Sequence, residues 1–436
     1  MPEIIPQPNL IEVHEPLHKG DEGGAFVGVV AIVGISAVAA GLLVYGGNHP
    51  ELGQKIKETV GMADKTASAP ATHEPKIEKD SPSSAECMGD LSNAAKVGQL
   101  LMPGFTSDQI PRATTAFERY HVGSAIIMGK VPESAAPNLK RLTEENPAGL
   151  NLAVDDEGGL VQRTGSKMPS QLWVAQHRNP KQAEQIAFNH AAGTDSHPGL
   201  ADYGINFNAS PVVDVDPDTG PSGTPGAGRT FGNKPQDVIT YGQAYVNGIE
   251  RADVHPIIKH WPGHGSASGD THKGPATTPN WSSLQGRDVA PFKDIIEHDQ
   301  EKGHKGPDLA VMVGHLTVPG LTEKDTPASM SPKAISYLRG KLDFNGIIMT
   351  DDLKMGGSLV EKTLPEAAVA AIDAGADVAL YVSTGSGLDS DTKKVSSALL
   401  AAVKDGDISQ KQLDTSVARI LDAKGVTACE ALKELK

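Results

Sequence analysis

The chain is predicted to be an α/β protein, a single (β/α)8 TIM-like barrel preceded by a transmembrane helix and a disordered linker. Three observations predict it. Beyond Cys87, short apolar runs closed by turn residues alternate with longer amphipathic segments, the rhythm of βαβα units. Polar clusters follow several different runs, whereas a doubly wound open sheet of similar rhythm would gather them at one switch point. Length agrees, because one barrel takes roughly 250 to 400 residues and the chain has 436.

Residues 1–22 are a polar tail in which Glu3, Glu12, Glu15, Asp21 and Glu22 outnumber Lys19. Residues 23–46 are expected to be a transmembrane helix, since Ala25 to Tyr45 carry no charge over 21 residues, about the length that crosses a bilayer. A cleaved signal peptide would need a basic start, which the acidic tail lacks, and no cysteine follows the run to carry a lipid anchor. Lys55, Lys57 and Lys65 follow the span and Lys19 precedes it. Taken literally, the positive-inside rule puts the globular part in the cytoplasm. The bias is small, and the cysteine pair below favours an extracytoplasmic domain. Residues 47–85, rich in Pro, Ala, Ser, Thr and charge without apolar periodicity, cannot bury enough surface to fold and are expected to be a flexible spacer.

Residues 86–436 are the predicted barrel. Candidate strands are 123–128, 150–155, 205–210, 254–260, 309–315, 346–351 and 378–383, and segments 180–195, 235–252, 364–374 and 391–404 read as helices. Aromatics are few at 4%, and 47 Gly with 31 Pro suit an α/β fold with many short loops rather than a fibrous protein. The formal charge of −15 argues against a nucleic-acid partner, which needs clustered Lys and Arg. Cys87 and Cys429 stand at the two ends of this region. A barrel brings its first and last strands together, so a disulfide is expected, with two unpaired thiols as the alternative.

Four polar clusters end predicted strands: 154–163, 259–272, 313–320 and 349–357. In a barrel they converge on one face. Asp155, Asp156, Asp351 and Asp352 could be helix N-caps. They could equally do chemistry, since cleavage of a glycosidic bond needs a carboxylate on one side of the ring and a proton donor beside the leaving oxygen. Asp351 supplies the carboxylate. Asp270 and His272, two apart in a Gly- and Ser-rich loop, offer an imidazole polarised by a carboxylate, which can give and later take a proton. His272 could instead be a loop histidine without a role, or a metal ligand beside His260 and His264. His255, His260, His264 and His272 fall within 18 residues, but Pro262, Gly263 and Gly265 prevent the helix that would give the i, i+4 spacing its zinc-binding meaning. Neither a metal nor a cofactor is expected.

Several motifs agree at these positions: Val154 to Arg163 (VDDEGGLVQR), Asn206 to Asp214 (NFNASPVVD), GRTFG at 228–232, KHWPGHG from Lys259 to Gly265, Asp270-x-His272, GHL, PASMS at 327–331, and Thr350-Asp351-Asp352-Leu353. Together they resemble glycoside hydrolase family 3, and within it the bacterial β-N-acetylhexosaminidase branch, over roughly residues 88–426. The resemblance implies a barrel that cleaves terminal N-acetylglucosamine from peptidoglycan fragments or chitooligosaccharides with retention. It implies Asp351 as nucleophile and His272 as acid/base paired with Asp270. Asp155, Arg163, Arg229, Lys259 and His260 would bind the sugar. Trp261, the Asn208-Ala209-Ser210-Pro211 run and Asp156 depart from the family pattern, and none touches a proposed catalytic group. The family's two-domain glucosidases take their acid/base carboxylate from a second domain, so the Asp-His loop favours the N-acetylglucosaminidase over a β-glucosidase. A phosphorylase of the same family and an inactive, membrane-tethered glycan-binding protein are the alternatives. No protein partner is implied.

Overall fold

The protein is described by a computed structural model over residues 84–435, except 166, 304–308, 359–361 and 384. The predicted tail (1–22) and transmembrane helix (23–46) lie outside the described residues, as does the linker up to residue 83. Residues 84 and 85, assigned to the linker, instead open the helix Ser84–Asp90. Among the described residues no helix is long and apolar enough to cross a membrane.

Eight parallel strands form a nearly closed barrel. In chain order they are β1 Leu101–Thr106, β2 Ser124–Met128, β3 Asn151–Val154, β4 Phe207–Asn208, β5 His255–Trp261, β6 Ala310–Val313, β7 Ile347–Thr350 and β8 Ala379–Val382. Within the run from β1 to β7 each strand pairs with the next, and β8 pairs with β1 in the register Leu101↔Ala379 to Gly104↔Val382. The β7–β8 seam is narrower, with one bridge at Met349↔Val378 and the Thr350 amide donating to the Val378 carbonyl at 3.1 Å. Buried Asp377 closes it from below. Its carboxylate accepts from the Ile348 amide (2.9 Å), the Ser416 hydroxyl (2.8 Å) and Arg419 (3.0 Å), and it also pairs with Arg339.

All seven predicted strands coincide with barrel strands, and only β1 is absent from the prediction. β1 contains Pro103 and Gly104, two residues that read against a strand. The glycine is required by packing, because a Cβ on it would lie 3.0 Å from the Cα of Val382 in β8. β4 shrinks to two residues because asparagine side chains take over the ladder to β3. Asn206 Oδ1 accepts the Leu152 amide at 2.7 Å, and Asn208 Oδ1 and Nδ2 bond the amide and carbonyl of Asp156 at 3.1 and 3.0 Å. A side-chain amide carries the same donor and acceptor as a peptide unit. The predicted helices appear as Pro180–Ala192, Pro235–Glu250, Leu364–Asp373 and Gly387–Asp405. Cys87 in the helix Ser84–Asp90 and Cys429 in the helix Ala428–Glu434 form a disulfide with Cα atoms 4.9 Å apart.

Candidate active site

The predicted site residues stand at the C-terminal ends of β3, β5 and β7 and in the loops beyond β3, β4 and β5. β5 supplies two neighbours, Lys259 and His260. Successive side chains of a regular strand point to opposite faces, but the register of β5 against β6 shifts between Ile258 and Trp261. Such an irregularity re-aims side chains, and both residues reach the polar end of the barrel. The Lys259–His260 peptide is cis.

Lys259 is buried, and its Nζ lies 2.6 Å from Asp155 Oδ1 and 2.6 Å from Glu157 Oε1. Arg229, from the loop after β4, meets the same glutamate in a two-pronged contact, Nε to Oε2 at 2.7 Å and Nη2 to Oε1 at 2.8 Å. Burial alone would raise the Glu157 carboxyl, but Lys259 and Arg229 outweigh it and hold it at about 2. Two cations and two carboxylates thus balance in a largely dry setting. Asp155, 22% exposed against 1% for Glu157, is the carboxylate that faces outward. Its neighbour Asp156 is structural: it accepts the Arg163 amide at 2.6 Å and the Thr164 hydroxyl, and it lies 3.6 Å from His190. Arg163 is half-buried, and its Nε has no hydrogen-bond partner among the described residues.

Asp214 is fully buried and takes His260 Nδ1 at 2.7 Å, the amides of His260 and His264 at 3.0 and 2.7 Å, and the Thr224 hydroxyl at 2.8 Å. Burial would raise its pKa, but His260 and the other donors push it well below the usual carboxylate range. With Nδ1 committed to Asp214, His260 presents Nε2 to the site.

Asp351 follows β7 directly. Its amide donates to the Val313 carbonyl at 3.0 Å, and its Oδ1 accepts the Asp352 amide at 2.8 Å. Burial pushes its carboxyl up, but His260 foremost, then His315 and the Asp352 amide, bring it below the ordinary value. The anionic form is therefore favoured at a half-buried position, as a nucleophile requires. His315 is itself disfavoured as a cation by burial, and it sits between Ser329 Oγ (2.8 Å) and the Asp352 carbonyl (2.9 Å). Asp352 is turned away: its Oδ1 caps the amides of Lys354 and Val382 at 3.0 and 2.9 Å, and burial raises it to about 6.

The loop after β5 holds the Asp270–His272 pair. Asp270 Oδ1 accepts His272 Nδ1 at 2.9 Å and the His272 amide at 3.1 Å, and Oδ2 lies 3.0 Å from Lys273. The hydrogen bond from Lys273, followed by those from His272, holds Asp270 at about 2. The His272 side chain is 58% exposed, so its Nε2 is open to the mouth. The structure therefore joins Asp155, Lys259 and Arg229 through Glu157, sets His260 electrostatically against Asp351, and pairs Asp270 with His272. It shows no direct bond from Arg163 to the others.

Sequence reasoning missed three residues, Glu157, Asp214 and His315. Each lies within a motif already singled out, but the need for a buried carboxylate under two cations is visible only in three dimensions. The four histidines weighed as a metal cluster turn to different side-chain partners, although the rings of His260 and His264 meet edge to face with centroids 5.7 Å apart. His255 stacks on Phe207 at the start of β5, His260 bonds Asp214, His264 bonds Thr271, and His272 bonds Asp270. Among the described residues no group of three or more His, Cys, Asp or Glu is arranged to hold a metal ion.

Comparison with known proteins bears on the family of the barrel. The Glycosyl hydrolase family 3 N terminal domain matches residues 93–423. The beta-hexosaminidase LpqI of Mycobacterium tuberculosis is 33% identical over 349 residues, covering 77% of this chain and 83% of that protein. The crystal structure of a family 3 glycosyl hydrolase from Mycobacterium smegmatis superposes with a TM-score of 0.68 at 32% identity, covering 77% of this chain and 98% of that one. The structure of a family 3 beta-N-acetylglucosaminidase from Paenibacillus superposes with a TM-score of 0.67 at 30% identity, covering 79% of this chain and 63% of that one. Matched over most of its barrel, the chain belongs to glycosyl hydrolase family 3.

Proposed function

We propose that the protein is a retaining exo-β-N-acetylglucosaminidase that removes terminal N-acetylglucosamine from peptidoglycan fragments or related glycans. The observation that carries this reading is the contrast between a half-buried Asp351, held as an anion by neighbouring histidines and the Asp352 amide, and an exposed imidazole tied to a carboxylate. The Asp351 carboxylate attacks the anomeric carbon while His272 Nε2 gives its proton to the departing oxygen. A water then attacks the same carbon, His272 takes its proton, and Asp351 leaves as the free carboxylate, so configuration is retained after two inversions. Asp155, Arg163, Arg229, Lys259 and His260 would hold the sugar hydroxyls. The names of the mycobacterial and Paenibacillus relatives support the sugar class. The reading also includes a membrane anchor at residues 23–46 with the barrel outside the cytoplasm, supported by the uncharged run and by the disulfide, which persists in oxidising compartments.

The test is turnover of aryl β-glycosides of N-acetylglucosamine and glucose by the full-length protein. Selective cleavage of the N-acetyl substrate, abolished in Asp351→Asn and slowed about 10²- to 10⁴-fold in His272→Ala, is the expected outcome. Equal activity in Asp351→Asn would sink the proposal. Turnover that depends on added phosphate would identify a phosphorylase instead, for which an imidazole donor is equally suited because it does not repel the anion as a carboxylate would.

A further inference from the structure

His272 is more than half exposed, so little packing holds its ring in place beyond the bond to Asp270. Yet an acid misplaced by about 1 Å can cost on the order of 10²-fold in rate. The residue between them resolves this. Thr271 is 1% exposed, turned inward while its two neighbours turn out. Its Oγ1 lies 3.1 Å from His264 Nε2, and its carbonyl accepts the Gly357 amide at 2.9 Å. His264 is held from beneath by its own amide, which donates to Asp214 Oδ1 at 2.7 Å. The same Asp214 carboxylate orients His260 through Oδ2 at 2.7 Å.

The Gly357 side of this arrangement belongs to the loop that begins at Asp351. Two glycines let the loops meet backbone to backbone. A Cβ on Gly356 would lie 2.8 Å from the Lys273 carbonyl carbon, and one on Gly357 would lie 3.2 Å from the Thr271 oxygen and 3.3 Å from His315 Cβ. The far end of the Asp270–His272 loop is tied down separately, by Ser268 and Thr277, which exchange amide bonds of 2.8 and 2.9 Å. The loop that bears the proton donor is therefore docked directly on the loop that bears the carboxylate, with Thr271 as the peg.

We propose that Thr271, anchored by His264 and the Gly357 amide, is the positioning residue that sets His272 at its working place relative to Asp351. The proposal rests on the reading of those two residues as acid/base and nucleophile. A displaced proton donor leaves a specific signature. Departure of a poor leaving group needs the proton, departure of a dinitrophenolate does not, and azide can attack the glycosyl-enzyme at the anomeric carbon and expel the Asp351 carboxylate without any proton transfer.

The experiment compares the full-length wild type with Thr271→Val, Thr271→Ser, Gly357→Ala and His272→Ala, on phenyl and dinitrophenyl β-N-acetylglucosaminides. In Thr271→Val, kcat/KM for the phenyl substrate should fall about 10- to 100-fold. With the dinitrophenyl substrate it should stay within about threefold, with kcat restored by azide. Thr271→Ser, which keeps the hydroxyl, should recover most of the loss. Gly357→Ala presses on the Gly274 and Thr271 carbonyls of the same loop and should give the same signature from the other side, so the test stands even if the valine variant does not fold. Equal losses on both leaving groups, or no loss on either, would overturn the positioning role while His272→Ala still shows leaving-group dependence. Absence of that dependence in His272→Ala itself would remove the acid/base reading, and the positioning proposal with it.

Discussion

Glu157 accepts bonds from two cations, Lys259 at 2.6 Å and Arg229 at 2.7 and 2.8 Å, while its side chain is 1% exposed. Removing one partner of a buried ion network leaves the others desolvated and uncompensated, at a cost of about 3 to 5 kcal/mol. Glu157→Ala is therefore expected to lower unfolding free energy by about that amount in urea titration, although the residue is not proposed to donate or accept any reacting proton. Glu157→Gln keeps the shape and two hydrogen-bonding atoms and should cost less. In both variants KM should rise if Lys259 and Arg229 bind the sugar as proposed, because both lose the carboxylate that fixes their position. An unchanged KM would show that Asp155 alone is enough to orient Lys259.

Among the elements, the first and last helices of the barrel unit bury few side chains within their spans, Cys87 in one and Ala428 and Ala431 in the other, and are joined by a covalent tie. Cys87 and Cys429 are 342 residues apart in sequence, and cross-linking so long a loop removes unfolded-chain entropy worth at most about 6 kcal/mol, less whatever structure the reduced chain retains. Cys87→Ser, or the wild type under strong reductant, should melt at a lower temperature by calorimetry while keeping its kcat. The tie joins the helices Ser84–Asp90 and Ala428–Glu434, whereas the site lies at the strand ends. Loss of activity in proportion to loss of the disulfide, well below the melting temperature, would contradict that separation.

For the molecule as a whole, several buried titratable groups pull stability in opposite directions with pH. Burial lowers the pKa of His264 and His315, so each stabilises less as pH falls below the unfolded imidazole value of about 6.5. Asp288 behaves in the reverse sense. Burial raises it to about 6, with one oxygen lacking a hydrogen-bond partner among the described residues. A group whose folded pKa is raised contributes stability that is complete below its unfolded value and is lost as pH rises through the folded one. Asp288→Asn deletes that component. The melting temperature of the variant relative to wild type should therefore rise between about pH 4 and pH 7. A constant difference across that range in paired thermal melts would place the Asp288 titration elsewhere.

Much of this was legible in one dimension. Apolar runs such as 309–315 and 346–351 had to be buried strands, because burial on both faces leaves continuous hydrophobicity with no other outlet. Polar residues at their ends then had to meet on one face of a barrel. The sequence therefore determined the α/β barrel, the family, and the candidates Asp351, Asp270 and His272. It could not expose β1, where Pro103 reads against a strand and Gly104 is required by the close approach of Val382. Nor, apart from the family resemblance, could it separate the neighbouring carboxylates Asp155, Asp156 and Glu157, which differ in solvent access and partners. Tertiary structure alone decided that Asp214 holds two histidines and that Thr271 joins the Asp270–His272 loop to the loop after Asp351, because distances between residues far apart in sequence are set by packing and leave no periodicity to read.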